Sequence, residues 1–387
     1  MNDTFASQDA FTPRQEELAK RIEEFAAEKI APHRQENDRR GAYRPGLIED
    51  LAAADLFALR VPPEYGGLGL DAVSAGIALE KLAAADLSVC FPVLNAALIG
   101  GVLASHGDAA QLERWLPPIA RGEAVVALAL TEAGHGTDAA GIEMRAEPDG
   151  DGWVLTGEKT SIMVTAYATH ALVFARTGGE GAHGISAFYV PLDGDRVRKE
   201  RLTDLGCRSG GRGRLVFDGL RAGPKDLVGA PGGGFAAVMR GFAVSRAYIA
   251  LMAIAVGNAA LAEAYTHATG RTAFGQPISR YQSVVFPLVE HTTLLHAARL
   301  VSFEALGKSD RGEDPRVPSN MAKWWAPKAA VEAVHQALLT MGHLGWSEDG
   351  PVAQRLRDVI GLQLADGTAA ATKLTVARLL LGKEHAP

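Results

Sequence analysis

Near its carboxyl end the chain carries Asp366-Gly367-Thr368, which closes an apolar run, RDVIGLQLADGT, and sets a carboxylate beside hydrophobic residues at the start of the last helical pattern. Such a carboxylate is a candidate for acid–base work. An Asp before Gly-Thr also suits a helix N-cap, whose side-chain oxygen takes a free backbone N–H. A second candidate is Gly134-His135-Gly136-Thr137-Asp138-Ala139, a loose GxGxxA pattern after the strand-like AVVALALT. A dinucleotide fingerprint must open a long helix, and AAGIEMRAEPDGDGW runs into a β-turn instead. The segment reads as a loop in which Thr131, Thr137 and clustered N–H groups could bind a polar or anionic cofactor edge.

Other chemistries find little support. His291 and His296 are five apart, about 140° round a helix, so they do not share a face as zinc ligands would. HExxH, CxxC and DxDxDG are absent, His135, His170 and His183 are scattered singly, and no metal is expected. GxSxG is also absent, and Ser209 in CRSGGRG lies in a turn-like context without a strand-to-helix elbow.

These residues must be positioned by a sizeable fold, because 387 residues correspond to two or three domains. With 47% apolar and 22% charged residues, and Gly and Pro well short of low complexity, wholesale disorder is excluded. The net charge of −6, without a basic block, argues against nucleic acid. Cys90 and Cys207 are too few for a disulfide framework and suit a reducing compartment. Met1 to Asp9 is unlike a signal peptide. The longest apolar stretch, Ala247 to Gly257, is far shorter than the roughly 20 residues of a bilayer span, so a cytoplasmic protein with no membrane partner is expected.

Helical spacing runs from Thr12-Pro13, which suits an N-cap and first turn, through 46–57, 72–85, 92–106 and 109–120, broken by the loop VPPEYGGLGLD at 61–71. From Glu123 to about Val228 short β-type runs alternate with turns such as PDGDG at 148–152. Long helical patterns return at 235–269, 279–307, 318–342 and 352–381. The expected domains are therefore a helical 1–122, a β-type 123–230 and a helix bundle 231–387. This α, β, α order is not the alternation of a doubly wound sheet.

Taken in order, these landmarks resemble the FAD-dependent acyl-CoA dehydrogenase family over nearly the whole chain. VPPEYGGLGLD is similar to the family's loop between early helices, Leu130 to Asp138 (LTEAGHGTD) to its LTEPxxGSD flavin loop, and Gly157-Glu158-Lys159-Thr160 to its GxK strand entry. Leu215-Val216-Phe217-Asp218 precedes a GxGF helix start, Arg271-Thr272-Ala273-Phe274-Gly275 resembles RxxFG, and Arg357-Asp358 and Asp366-Gly367-Thr368 resemble RDA and EGT. The resemblance implies an N-terminal helical domain, a β-barrel-like middle domain and a C-terminal four-helix bundle. It also implies α,β-dehydrogenation of an acyl thioester, carried by CoA or a carrier protein.

By the same resemblance Asp366 is the base, and its backbone N–H, with a flavin ribityl hydroxyl, forms the oxyanion site. Leu130, Thr131, Gly136 and Thr137 line the flavin and its phosphates, and Ser161, Met163 and Thr368 adjoin the cofactor. Ser245, Arg246, Ala365 and Gly367 adjoin the substrate. Arg271, Phe274, Gln282 and the stretch Gly342 to Gly345 reach the FAD of a neighbouring subunit. A homo-oligomer, tetramer or dimer, follows, with an electron-transferring flavoprotein as acceptor.

The chain also departs from the pattern. Asp366 stands where the family usually has Glu, Ala365 replaces the preceding aromatic, and Ser245 beside Arg246 fills the alternative base location. Ser161 replaces an aromatic, Met163 replaces a hydroxyl that bonds flavin N5, and Leu339 and His343 replace a Gln and a Gly. The small residues Ser161 and Ala365 suggest a bulky, branched or cyclic acyl group, or one on a carrier protein. A flavin monooxygenase on the same fold is the rival reading, distinguished by oxygen consumption with NADH and a flavin reductase. A non-catalytic flavoprotein, whose flavin thioesters never reduce, is the second.

Overall fold

The computed structural model describes residues 11–382 and 384–387; the Met1–Asp9 leader considered above lies outside the described residues. Helix α1 (Pro13–Phe25) begins as Thr12 predicts. Thr12 Oγ1 accepts from the Gln15 N–H at 3.3 Å, and Gln15 Oε1 accepts from the Thr12 N–H at 3.0 Å. Such a reciprocal cap is worth about 1 kcal/mol. Leu18 and Ile22 bury one face of α1, which continues through a π turn (Ala26–Ile30) and a 3-10 turn (Ala31–His33) into α2 (Arg34–Arg40).

Helix α3 (Leu47–Ala53) is shorter than the 46–57 pattern, because Asp55 adopts a left-handed φ of 60° and ends it. Helix α4 (Ala72–Ala85), capped by Asp71, leads to α5 (Cys90–His106) and then to α6 (Ala109–Ala120), started by an Asp108–Gln111 capping box. By length and composition Leu87–His106 and Gly234–Gly270 could each cross a membrane, contrary to expectation, because only a few polar residues interrupt each helix although its longest purely apolar run is short. Both are mostly buried within the fold.

The middle region is an eight-stranded sheet: β1 (Val126–Ala129), β2 (Arg145–Asp149), β3 (Gly152–Ile162), β4 (His170–Arg176), β5 (Ile185–Pro191), β6 (Val197–Arg201), β7 (Gly213–Ala222) and β8 (Leu227–Val228). The order is β6-β7-β3-β2-β4-β5-β8, with β1 parallel to β4 along the edge that β2 meets only at Arg145–Arg176. The path is open: β6 and β8 end it without pairing to each other, so the barrel-like expectation reduces to a sheet that does not close.

The last third begins with α7 (Gly234–Gly270). A two-stranded hairpin, β9 (Thr272–Ala273) and β10 (Gln276–Pro277), precedes α8 (Gln282–Asp310) and α9 (Arg316–Met341). Short α10 (His343–Trp346) follows, then α11 (Pro351–Gly361) and α12 (Ala369–Leu381). Small residues let α7, α8 and α9 approach closely: a Cβ at Gly257 would stand 2.8 Å from Leu295 and 3.4 Å from the Ala330 backbone. The single helical pattern read at 352–381 is two helices. Residues 362–368 reverse the chain between them, because Asp366 (φ 51°) and Gly367 (φ 101°) are both left-handed. Periodicity does not detect such a reversal, since apolar spacing resumes on its far side.

Candidate active site

Two clusters of the expected site residues form. The first is built on the reversal between α11 and α12. Ser245 and Arg246, adjacent on α7, both address it: the Ser245 hydroxyl donates to Asp366 Oδ2 at 2.6 Å, and Arg246 Nε donates to the Asp366 carbonyl at 3.0 Å. Asp366 Oδ1 and the Asp366 N–H have no hydrogen-bond partner among the described residues. Asp366 is not the helix cap that its sequence context also allowed; Thr368 caps α12 and accepts from the Ala371 N–H. Ala365 is half-buried against the core, and Arg246 Nη2 lies within 3.6 Å of where a Gly367 side chain would begin.

Sequence reasoning missed one member of this cluster. Lys323 of α9, 1% exposed, donates to the Gly367 carbonyl at 3.0 Å. Burial pushes its pKa down to about 8 and Arg246 adds to the drop, while Asp366 opposes it. Burial also lowers the Arg246 guanidinium, again against Asp366. The available signal was a lone lysine on a face of small residues, Ser319, Asn320, Ala326 and Ala330, that recur at helical spacing.

The second cluster is built where the loop after β1 crosses β3. Lys159, fully buried, donates to the Leu130 carbonyl at 2.9 Å and to Glu132 Oε1 at 2.7 Å. The Glu132 carboxylate also accepts from the N–H groups of Glu143 (2.6 Å) and Met144 (2.9 Å). Burial lowers Lys159 to about 8 against the pull of Glu132. Burial works against the Glu132 carboxylate too, but Lys159 and the two N–H groups outweigh it and hold it below the ordinary range. The pair folds the loop back as a turn closed by Glu132 and His135.

Strand β3 bulges here, its register against β7 shifting between Lys159 and Ile162. The bulge lets the Thr160 N–H reach the Thr131 carbonyl at 2.9 Å and turns Ser161 outward at φ 60°. Arg212, tied to Asp204, donates to Ser161 Oγ at 2.9 Å, so the room left by the missing aromatic is shared with a guanidinium. Met163 places its methyl against Gly210 and offers no N–H or O–H donor.

Gly136 and Thr137 are exposed, their N–H groups are unpaired among the described residues, and a Cβ on Gly134 or Gly136 would meet nothing within 4 Å. An open loop of such N–H groups and the Thr131 and Thr137 hydroxyls fits the acceptor-rich edge and phosphates of FAD. After the loop comes a 3-10 turn (Ala139–Gly141) and then β2, not the long helix of a dinucleotide fold. Among the described residues no hydrogen bond joins this cluster to the first.

The remaining residues lie apart. Arg271 and the 97%-exposed Phe274 sit in the hairpin after α7, about 36 Å along that helix from Arg246 at 1.5 Å per residue. Gln282 opens α8, while Gly342 (φ 59°) forms the break between α9 and α10 and Gly345 is buried within α10. Among the described residues no group of three His, Cys, Asp or Glu could hold a metal ion.

Three family models match: the N-terminal, middle and C-terminal domains of acyl-CoA dehydrogenases, over residues 12–123, 127–220 and 232–381. The short-chain specific acyl-CoA dehydrogenase of Mus musculus mitochondria is 32% identical over 94% of this chain and 89% of its own length. The 3-(aryl)acrylate reductase of Clostridium sporogenes is 29% identical over 96% of this chain and 99% of its own. The solved butyryl-CoA dehydrogenase of Megasphaera elsdenii is 29% identical and superimposes with a TM-score of 0.93 over 96% of this chain and 99% of that one.

Proposed function

The chain belongs to the acyl-CoA dehydrogenase family, and we propose that it is an FAD-dependent enzyme that removes hydrogen from the α and β carbons of an acyl thioester with Asp366 as its base. One observation carries this reading: Asp366 has one carboxylate oxygen held by Ser245, while its other oxygen and its backbone N–H are free. A C–H bond beside a thioester carbonyl is weakly acidic, so its proton must leave while the carbonyl oxygen gains a donor. Oδ1 takes the proton, and the Asp366 N–H donates to the carbonyl oxygen. Ser245 stops the carboxylate from rotating away, and Arg246 fixes the peptide that carries both groups. FAD supplies the acceptor for the hydride lost from the β carbon. Leu130, Thr131, Gly136 and Thr137 hold it, on a loop braced by Lys159 and Glu132.

The preferred acyl group is branched, cyclic or otherwise bulky, on CoA or a carrier protein. Asp ends one methylene, about 1.5 Å, short of Glu, so a substrate must come closer to meet it. Ala365 leaves space for that approach. The enzyme works as a homo-oligomer, dimer or tetramer, in the cytoplasm and passes electrons to an electron-transferring flavoprotein. Support for the oligomer comes from Arg271 and Phe274, which lie too far along α7 to serve the site at Asp366 of their own chain, and from the exposed apolar Phe274, Phe286, Leu339, Trp346 and Leu364.

The deciding experiment mixes flavin-loaded protein anaerobically with straight, branched and cyclic acyl thioesters and follows flavin bleaching. Asp366→Asn is expected to keep its flavin and lose bleaching. Retained bleaching moves the base elsewhere, and fastest reduction by a straight-chain thioester defeats the bulky-substrate reading. Met163, which offers flavin N5 no donor, favours the monooxygenase reading; oxygen uptake with NADH and a flavin reductase would establish it.

A further inference from the structure

An ammonium group taken out of water costs several kcal/mol unless it is paired, so a lysine on a buried helix face of small residues needs a reason. Among the described residues Lys323 has one hydrogen bond, to the Gly367 carbonyl. The neighbouring carbonyl, that of Asp366, is held by Arg246 from a different helix. Two cations on α9 and α7 thus each take one of two successive carbonyls at a left-handed reversal that the backbone alone disfavours. The charged groups acting on Lys323 are Asp366, from the reversal, and Arg246, from α7.

We propose that Lys323 is a positioning residue for Asp366: by holding the Gly367 carbonyl it fixes the reversal and keeps the base aimed. This rests on the reading of Asp366 as the base. The tether prevents the reversal from relaxing to a conformation that would swing Asp366 away from Ser245. A lysine serving only to fill space would be replaceable by an apolar side chain of similar length, with a gain in stability.

The test compares wild type with Lys323→Met, Lys323→Arg and Lys323→Gln. Anaerobic flavin reduction and binding of a non-reactive thioether analogue are followed in parallel. In Lys323→Met reduction is expected to slow about tenfold or more. Binding of the analogue should change by less than about threefold, because the substrate contacts remain. Lys323→Arg, which keeps a donor for the Gly367 carbonyl, should restore the rate. Lys323→Gln, a shorter donor, should recover part of it, and the same split between rate and binding in Lys323→Gln decides the matter if Lys323→Met does not fold.

An unchanged reduction rate in Lys323→Met, or a slowed one that Lys323→Arg fails to restore, overturns the proposal, as does a loss of analogue binding that accounts for the slower reduction. Bleaching that is lost in Asp366→Asn but unchanged in Lys323→Met defeats the role of Lys323 alone, whereas a wild type whose flavin no thioester bleaches defeats the reaction and the proposal with it.

Discussion

The Ser245 hydroxyl donates to Asp366 Oδ2 over 2.6 Å although 121 residues separate the two. A hydrogen bond to a charged acceptor is worth about 1.5–3 kcal/mol, and this one stops the carboxylate from rotating. Ser245→Ala is therefore expected to slow flavin reduction about tenfold while flavin content is kept, because the carboxylate loses its aim. Anaerobic flavin reduction by both proteins checks this, and equal rates would refute it.

Gly367 holds the reversal by conformation more than by space. At φ +101° a Cβ would stand 3.5 Å from Thr372 Cγ2 and 3.6 Å from Arg246 Nη2, ordinary contact distances, so the penalty of a side chain is backbone strain. Gly367→Ala should cost about 1–3 kcal/mol and lower the melting temperature by a few degrees. Since strain would be relieved by turning the adjacent peptide, flavin reduction should fall at least about tenfold while flavin content is kept. An unchanged rate would show that Asp366 does not depend on the reversal.

Much of the architecture was legible because it is written in local signals. Thr12 with Gln15 and Asp108 with Gln111 are short-range caps, and the switch from helical to strand spacing near Glu123 marks the sheet. The break at 362–368 was not legible as a break: apolar spacing continues across it, and only the Gly after Asp366 hints that φ turns positive. The resemblance named Ser245 and Arg246, but neither composition nor spacing could show that they close on Asp366 from 120 residues or more away. Lys323 escaped notice, and Lys159 was legible only as part of a strand-entry motif and not as a buried group, for a common reason. Sequence patterns treat lysine as a solvated residue, and both are buried because a carbonyl awaits each one inside the fold.

The junction of α11 with the other two regions should make stability depend on pH. Burial raises Asp86 to about 7, with the Asp358 charge adding to the rise, and burial raises Asp358 to about 6 against the Cys207 N–H, which favours its ionised form. A carboxyl that binds its proton more tightly when folded contributes stability that is fully present below its unfolded pKa near 3.8 and is lost as pH rises through about 7. Arg34 partly offsets this at Asp86, while Asp38 adds to it. Asp86→Asn keeps the acceptor for the Ser88 N–H without the charge. Its melting temperature relative to wild type should climb between pH 4 and pH 8, ending higher by the equivalent of about 2 kcal/mol. Parallel melting curves across that range would show that Asp86 ionises without cost.

The length of the acid sets which substrates can be deprotonated. Asp366→Glu advances the carboxylate by about 1.5 Å, past the reach of a Ser245 hydroxyl that now sits at 2.6 Å. Two effects then oppose each other: the base gains reach toward a thioester lying farther from the reversal, and it loses the donor that orients it. The loss acts on every substrate alike, whereas the gain depends on where the α carbon lies. The ratio of flavin-reduction rates is thus the informative quantity, and Asp366→Glu should shift it toward straight-chain thioesters by about tenfold or more, even if every absolute rate falls. A ratio equal to that of wild type would mean that the acyl group, not the base, adjusts to the missing methylene, and would remove the link between Asp366 and a bulky substrate.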